Sequence, residues 1–599
     1  MSVTRPNTMS RAERLAKAAP DADGNFSHRQ ILTIVSGLML GMFLAALDQT
    51  VVSTAIRVIA DDLQGYDLQA WATTAFLITS TISTPLYGKL SDLYGRRPFY
   101  LAAISIFVVG SALCGIAGSM YELAAFRALQ GIGAGGLMSL ALAIIADIVA
   151  PRERARYQGY FMAVFGTSSV LGPVIGGFFA GQGAILGVEG WRWIFWVNVP
   201  LGLLAFLVVS RVLNLPAVRR AEHRIDWMGA LAMITFLVPL LIVAEQGRTW
   251  GWASGSSIAA YVIAAVGLAA FVRIELRLGS DALLPLALFR NRTFAVGALS
   301  SIVIGMGMFG ALLLLPQYLQ VVKGSSPTLA GLQTIPLVLG IMTASLISGQ
   351  FIARTGTYRS LPLSGVVLVG GGLTAMAVLV TATTSWWLLA PMMLAIGLGL
   401  GFNFQPMILA VQNAVDPRQI GVATSSVTSF RQLGGTLGAA AFFSLLFTRL
   451  PGDIRTEVAA ASQADPALAG RLQEVGSRAT DLSDTSFLQQ LPTALAAPFK
   501  AGFTDSLTFV FGIAAALMIV AFAVLLKLPA LELRSGSALQ ARQAAESGSE
   551  SADTTGARDS DPVADLGDPA DAIADVPDDA SLEDAQARRG QVAASGPNA

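Results

Sequence analysis

Gly88-Lys89-Leu90-Ser91-Asp92-Leu93-Tyr94-Gly95-Arg96-Arg97-Pro98 lies where one long apolar run ends and the next begins. The stretch is short, basic and bent by glycine, and it carries one acid. A loop of this make-up can brace two membrane helices and switch as they rock. Asp92 has two chemical roles open to it: bonding Arg96, or capping the amino end of a distant helix (the thirteenth apolar span), where the helix dipole favours negative charge. The plain alternative is a solvated turn.

Composition places the rest of the chain in a membrane. Of 599 residues 54% are hydrophobic and only 13% charged, against about 25% charged in soluble domains; the mean hydropathy is +0.61. Glycine is abundant, 60 residues, as suits helices packed closely in lipid. The single cysteine, Cys114, sits in an apolar run, and the two histidines, His28 and His223, sit in polar flanks. Neither a disulfide framework nor a metal centre is expected, and no nucleophile, base or metal cluster marks an enzyme.

A helix needs about 20 mostly apolar residues to cross the bilayer core. Fourteen spans fit: 30–55, 71–90, 99–118, 122–148, 158–180, 193–213, 227–246, 256–275, 293–317, 328–352, 361–382, 386–411, 420–447 and 503–527. One set of loops holds Lys89, Arg96 and Arg97; Arg152, Arg154 and Arg156; Arg219, Arg220 and Arg224; Arg273, Arg277, Arg290 and Arg292; Arg354 and Arg359; and Arg418. The alternate set has only Arg57, Arg192, Arg248 and Lys323. The arginine-rich side is therefore expected to be cytoplasmic. An even count of spans puts both termini there, in agreement with Arg5, Arg11, Arg14 and Lys17 in a leading segment with no cleavage-site pattern.

The domain organisation follows: a cytoplasmic segment 1–29, a six-helix half 30–213, a linker with two extra spans 214–292, a second six-helix half 293–528 and a tail 529–599. The second half includes a long polar, alanine-rich loop on the far side, 449–502, with room for short helices, which reads as a lid or surface appendage rather than a substrate-specific domain. From Ser535 to Ala599 the tail has 13 acids and 4 bases, a balance of −9, so with equal totals of 39 the body carries +9. A segment so charged and so poor in aromatics is expected to be disordered. The two halves look like repeats. Gly349 to Arg359 is a degraded copy of the loop at 88–98, and Leu171-Gly172-Pro173-Val174-Ile175-Gly176-Gly177 in span five pairs with Leu433-Gly434-Gly435-Thr436-Leu437-Gly438-Ala439 in span thirteen.

Asp48, in Leu47-Asp48-Gln49-Thr50-Val51-Val52, is an acid inside span one. Such a charge costs about 2.5–3.5 kcal/mol on insertion scales, and burial favours the neutral carboxyl. A carboxyl of that kind can load a proton on one side and release it on the other; the bland reading is an acid near the outer interface bonding a neighbouring helix. Arg127 opens Arg127-Ala128-Leu129-Gln130-Gly131-Ile132-Gly133-Ala134-Gly135-Gly136. These glycines spell G-x-G-x-x-G, but no strand precedes them, so the nucleotide reading is rejected in favour of a smooth packing face. Arg127 either pairs with a carboxylate or snorkels to the headgroups. In span five Gly166, Gly172, Pro173, Gly176 and Gly177 form a pliable face, with a proline that removes one helical hydrogen bond. Arg431 in span thirteen is a second intramembrane base, open to a carboxylate, an anionic substrate group or a wet cavity. Met306, Met308, Phe309, Asn403 and Gln405 are either candidate substrate-cavity residues or packing.

Together the loop at 88–98, LDQTVV at 47–52, RALQGIGAGG at 127–136, LGPVIGG at 171–177 and WRWIFWVNVPLG at 191–202 resemble the fourteen-helix drug:proton antiporter branch of the major facilitator superfamily, over residues 30–530. The resemblance implies an all-α polytopic membrane protein of the major facilitator fold, with two pseudo-symmetric six-helix halves plus two inserted helices. It implies Asp48 as the proton-sensitive acid, Arg127 as its relay partner, Gly88, Asp92, Gly95, Arg96 and Arg97 as the cytoplasmic gate, and the span-five glycines with Pro173 as an antiporter motif. The tenth span, Thr328 to Ile352, lacks the further acid that some members handling dications carry, which speaks against a strict preference for divalent cations.

The expected function is proton-coupled export of amphipathic small molecules or drugs by alternating access, from a bacterial plasma (inner) membrane. The alternatives are export of a native lipid, siderophore or metabolite on the same fold, and a non-transporting membrane sensor. No cofactor or metal is expected, the proton gradient supplying the energy. The expected partners are the lipid bilayer, the small substrate and protons, with no nucleic acid and with the acidic tail open to protein partners.

Overall fold

The computed structural model describes residues 26–64, 69–213, 226–279, 281–465, 469–472, 491–533 and 540. Fourteen long helices run through them: α1 His28–Asp62, α2 Gln69–Tyr94, α3 Arg96–Cys114, α4 Met120–Ile148, α5 Pro151–Ala180, α6 Asn198–Val212, α7 Trp227–Trp250, α8 Gly255–Leu278, α9 Arg292–Gln317, α10 Ile335–Thr355, α11 Ser360–Leu379, α12 Trp386–Ala414, α13 Ile420–Ala464 and α14 Thr493–Leu525. Short turns of helix, Trp193–Trp196 and Pro327–Gln333, lead into α6 and α10. A two-residue hairpin, Ala184–Ile185 with Val188–Glu189, follows α5.

Local chemistry sets the helix ends. Ser27 opens α1 in a reciprocal capping box with Gln30, Ser119 accepts from the Glu122 amide at the start of α4, and Asn291 accepts from Thr293 at the start of α9. Each satisfies an amide that has no partner inside its helix. Between α2 and α3 the chain turns through Gly95 at φ 96°, and after α10 it turns through Gly356 at φ 69°. Side chains avoid that left-handed region. Each of these glycines lies seven residues beyond Gly88 and Gly349 respectively, so the degraded loop keeps the turn of the intact one.

Among the described residues thirteen helices are long and apolar enough to cross a membrane. The remaining long helix, α2, is diluted by Thr74, Thr79, Ser80, Thr81, Ser83 and Thr84. Thr79, Ser83 and Thr84 turn their hydroxyls onto carbonyls. Thr79 donates to its own Ala75 carbonyl and to the Ala128 carbonyl of α4, and Thr84 donates to Ser80 and to Gly135 of α4. The backbones meet because a Cβ at Gly131 would collide with the Phe76 carbonyl, and one at Gly135 would lie 2.5 Å from the Ser80 carbonyl. Gly133 faces the other way, toward Ala103 and Phe107 of α3.

The apolar core falls into an α1–α6 part, around Leu38, Phe107, Leu137, Phe161 and Val209, and an α9–α14 part, around Leu314, Leu337, Leu400, Leu446 and Val510. The α7–α8 pair packs beside α2, with Met233, Leu237, Leu241 and Phe271 against Ile78 and Ile82. Across the middle, α5 lies along α10, and α2 and α4 meet α13.

Two boundaries need correction. The sequence places a polar loop over 449–502, but α13 continues through Pro451 to Ala464 and α14 already begins at Thr493. Proline removes one hydrogen bond from the helix. Packing offsets that loss: Leu450 and Ile454 are buried with Leu495, Phe499 and Phe503, Ser506 donates to Asp453 at 2.7 Å, and Arg449 lies 4.0 Å over the Phe509 ring. The tail reading also starts too early. Tyr358 donates to the Pro529 carbonyl and accepts from Leu531, and Asn413 donates to the Glu532 carbonyl, so 529–533 is a strap on the bundle. The expected disorder of the acidic tail falls on residues that, apart from 540, lie outside those described beyond 533, as does the leading segment up to 25.

Candidate functional site: a buried charge relay and an interdomain latch

Asp48 is 1% exposed and sits on α1 facing α4 and α6. Its carboxylate accepts from the Arg127 guanidinium at 2.5 Å, the Gln130 amide at 2.9 Å and the Asn198 amide at 2.7 Å. Arg127 also donates to the Gln130 side chain and the Ala72 carbonyl, and it lies 4.1 Å over the Phe76 ring. Asn198 donates in addition to Ser111, whose hydroxyl donates to the Phe195 carbonyl. A buried ion pair pays a large desolvation cost and persists only when its remaining polar atoms are bonded. That is the condition here: helices α1, α3, α4 and α6 all feed one network.

Asp48 and Arg127 stand out in the sequence as charges inside apolar runs, whereas Gln130 and Asn198 do not. Both lie inside the motifs at 127–136 and 191–202, Gln130 one helical turn beyond Arg127 and Asn198 as the one amide in Trp191-Arg192-Trp193-Ile194-Phe195-Trp196-Val197-Asn198. An amide in an apolar run was the available signal.

Two residues past Asp48, Thr50 donates to the Ser168 carbonyl of α5 at 3.0 Å. The glycines of α5 make this approach possible: a Cβ at Gly172 would strike Thr50, and one at Gly176 would strike Thr54. The opposite side of α5 meets the other half. A Cβ at Gly166 would lie 2.7 Å from the Met342 sulfur of α10, one at Gly177 would lie 3.5 Å from Thr328, and Gly331 sits against Pro173. Helix α5 is thus wedged between the helix carrying Asp48 and the facing half.

At the end of the bundle where the basic loops gather, Asp92 makes both of the contacts open to it. It pairs with Arg96 at 2.5 Å and accepts from the Gly421 and Val422 amides at 3.2 and 2.8 Å, at the amino end of α13. Arg96 reaches on to Asp147 of α4 at 2.8 Å and to Ser91 at 2.6 Å. Gly88 fits under Gly421 and Ser425 with no room for a Cβ, and Arg97 donates to the Ser210 carbonyl of α6 at 2.5 Å. A second bridge runs beside the first. Arg154, counted in sequence as a loop base, is buried in α5 and donates to Gln412 of α12 at 2.6 Å, and Gln412 donates to Thr424 of α13 at 2.8 Å. Asp147, Arg154 and Gln412 carried no sequence signal of pairing, because their partners lie tens to hundreds of residues away.

The candidate cavity residues separate. Met308, Asn403 and Gln405 are buried, Met308 in the apolar core and Asn403 bonded to the Gly399 carbonyl of its own helix. Met306, Phe309 and Arg431 are only half-buried, and the Arg431 guanidinium lies 4.7 Å over the ring of Phe404. Among the described residues no group of three His, Cys, Asp or Glu side chains could hold a metal ion.

Comparison with known proteins agrees with this architecture. The family model described as Major Facilitator Superfamily matches residues 38–439. Multidrug transporter protein MdtP of Bacillus subtilis (strain 168) is 36% identical over 417 residues, covering 69% of this chain and 75% of that protein. Multidrug resistance protein 3 of the same strain is 34% identical over 482 residues, covering 80% of this chain and 91% of that protein. Among solved structures, the proton:xylose symporter XylE bound to 6-bromo-6-deoxy-D-glucose superposes with a TM-score of 0.57 at 16% identity, covering 87% of this chain and all of that one. At that identity the likeness concerns the fold.

Proposed function

This chain belongs to the major facilitator superfamily, a family of multi-pass membrane transporters rather than enzymes, and from that premise we propose that it is a proton-coupled exporter of amphipathic small molecules, drugs among them. The observation that carries the reading is the Asp48 network: an intramembrane carboxylate bonded at once by Arg127, Gln130 and Asn198. The similarity to proteins named multidrug transporters supports the substrate class.

The proposed cycle uses these contacts in order. Asp48 takes a proton from the extracytoplasmic side, which neutralises the acceptor and weakens its hold on Arg127 and Asn198. Because Thr50 on the same helix bonds α5, a shift of α1 moves the helix that lies along α10. The Asp92 and Arg154 bridges then part, the basic end opens to the cytoplasm, the proton leaves and substrate enters. Reformation of the bridges returns the closed arrangement described above, from which substrate leaves on the far side. On this reading the basic end is cytoplasmic and the protein lies in the plasma membrane. Each proton moved inward contributes about 2.3 kcal/mol per 100 mV of membrane potential.

The test is proton movement in proteoliposomes on addition of a substrate dye, with wild type beside Asp48→Asn. Flux that appears with dye and is lost in the variant supports antiport through Asp48. Equal dye-driven flux in both places the coupling elsewhere.

A further inference from the structure

The two halves treat their intramembrane arginines differently. Arg127 has an aromatic ring beneath it, Phe76, and a carboxylate beside it, Asp48. Arg431 also has a ring beneath it, Phe404 of α12, but among the described residues it has no ion pair and no hydrogen bond from its side chain. It lies eleven residues past the start of α13, about 16 Å along the helix at 1.5 Å per residue. That is near the middle of a hydrocarbon core about 30 Å thick, beyond easy reach of the headgroups. A guanidinium does not shed its proton in proteins, so at this depth its charge needs an anion or water.

The surroundings favour one kind of anion. Phe404 covers one face of the guanidinium, which leaves its edge, the fork of N–H donors that matches a planar or tetrahedral oxyanion. One turn further along α13, Gly435 takes the ring of Phe309 from α9 against its backbone, and a turn beyond that Gly438 sits against the backbone and Cβ of Met306 on the same helix face. Met306, Phe309, Phe404 and Arg431 are all half-buried, and α9, α12 and α13 supply them. A guanidinium with one aromatic ring on its face, and with Phe309 and Met306 of α9 lining the next two turns of the same helix face, is complementary to a molecule with one acidic head and an apolar body.

We infer that Arg431 with Phe404, Phe309 and Met306 forms the substrate-binding wall of the second half, and that it takes amphipathic anions bearing a carboxylate, sulfonate or phosphate head. The inference rests on the exporter reading above and narrows its substrate class.

The experiment uses the full chain in phosphatidylcholine vesicles, which contain no anionic lipid, and three probes: anilinonaphthalene sulfonate, the neutral N-phenylnaphthylamine and the cation ethidium. Transport is followed for wild type, Arg431→Gln and Arg431→Lys. The expected result is that wild type moves the sulfonate, that Arg431→Gln raises its half-saturating concentration about tenfold or more, and that Arg431→Lys restores part of the loss. Movement of the neutral probe stays within about twofold across the variants, which shows that they fold. Sulfonate transport unchanged in Arg431→Gln overturns the site and leaves the exporter reading standing, as does wild type that moves ethidium or the neutral probe but not the sulfonate. An effect of Arg431→Gln that appears only after phosphatidylglycerol is added overturns it in favour of a lipid headgroup. If wild type moves none of the three, the exporter reading falls, and the substrate site with it.

Discussion

Replacing Asp92 with asparagine should loosen the basic end of the bundle by an amount the contacts set. The carboxylate is 4% exposed; it pairs with Arg96 and accepts from two amides at the head of α13. Hydrogen bonds to a charged acceptor contribute about 1.5–3 kcal/mol each. Asparagine keeps one carbonyl acceptor but turns an N–H₂ toward the other donors, so one amide and Arg96 lose their partner. Arg96 retains Asp147, which limits its share. The closed arrangement should therefore lose about 2–4 kcal/mol relative to an open one, a shift of about 30- to 1,000-fold in their ratio. The assay is a distance measurement between spin labels at Tyr94→Cys and Arg418→Cys, both exposed at that end. The only native cysteine, Cys114, is buried, which suits site-specific labelling. Wild type should give one short distance; Asp92→Asn should add a longer one as a major population. A distribution unchanged by the substitution, in protein of unchanged thermal stability, would refute the latch.

Arg154→Gln should act in the same direction by removing the bridge to Gln412, and the double variant should open the end further than either alone in the same distance measurement. Asn198→Ala leaves one Asp48 oxygen with Gln130 as its sole partner and takes a donor from Ser111; it should cost about 1–3 kcal/mol of stability and slow dye-driven proton flux, read by thermal denaturation and flux assays on one preparation. Gly172→Ala forces a methyl into Thr50 and should destabilise by about 1–3 kcal/mol, with Thr50→Ala recovering part of the loss in a thermal shift series. Tyr358→Phe removes both hydroxyl contacts to 529–533 and should raise amide exchange there, measured by mass spectrometry, while leaving exchange in α4 unchanged.

The fold was legible because a membrane leaves few choices. Runs of about 20 apolar residues can only be helices, and the arginines between them divide the loops into two sets. Even so, α2 is too rich in serine and threonine to stand out by apolarity alone, and the Thr79, Ser83 and Thr84 hydroxyls bond carbonyls of their own helix and of α4 that periodicity does not reveal. The polar, proline-containing stretch after 448 does not read as part of a membrane helix, and the packing of Leu450, Asp453 and Ile454 against α14 carries α13 past Pro451.

The sequence by itself determined where charge is costly or conspicuous: Asp48, Arg127 and Arg431 stand out inside apolar runs, and Asp92 and Arg96 in the short loop between two of them. Tertiary structure alone decided whom they meet. Asp48 finds Asn198 and Asp92 finds Val422 across 150 and 330 positions, and Arg154 turns from a loop base into a buried bridge. Arg431, equally conspicuous in sequence, meets a ring and, among the described residues, no acid. The cost of a buried charge is written in its own residue type, whereas its compensation depends on groups that only the packing of distant helices brings within hydrogen-bonding distance.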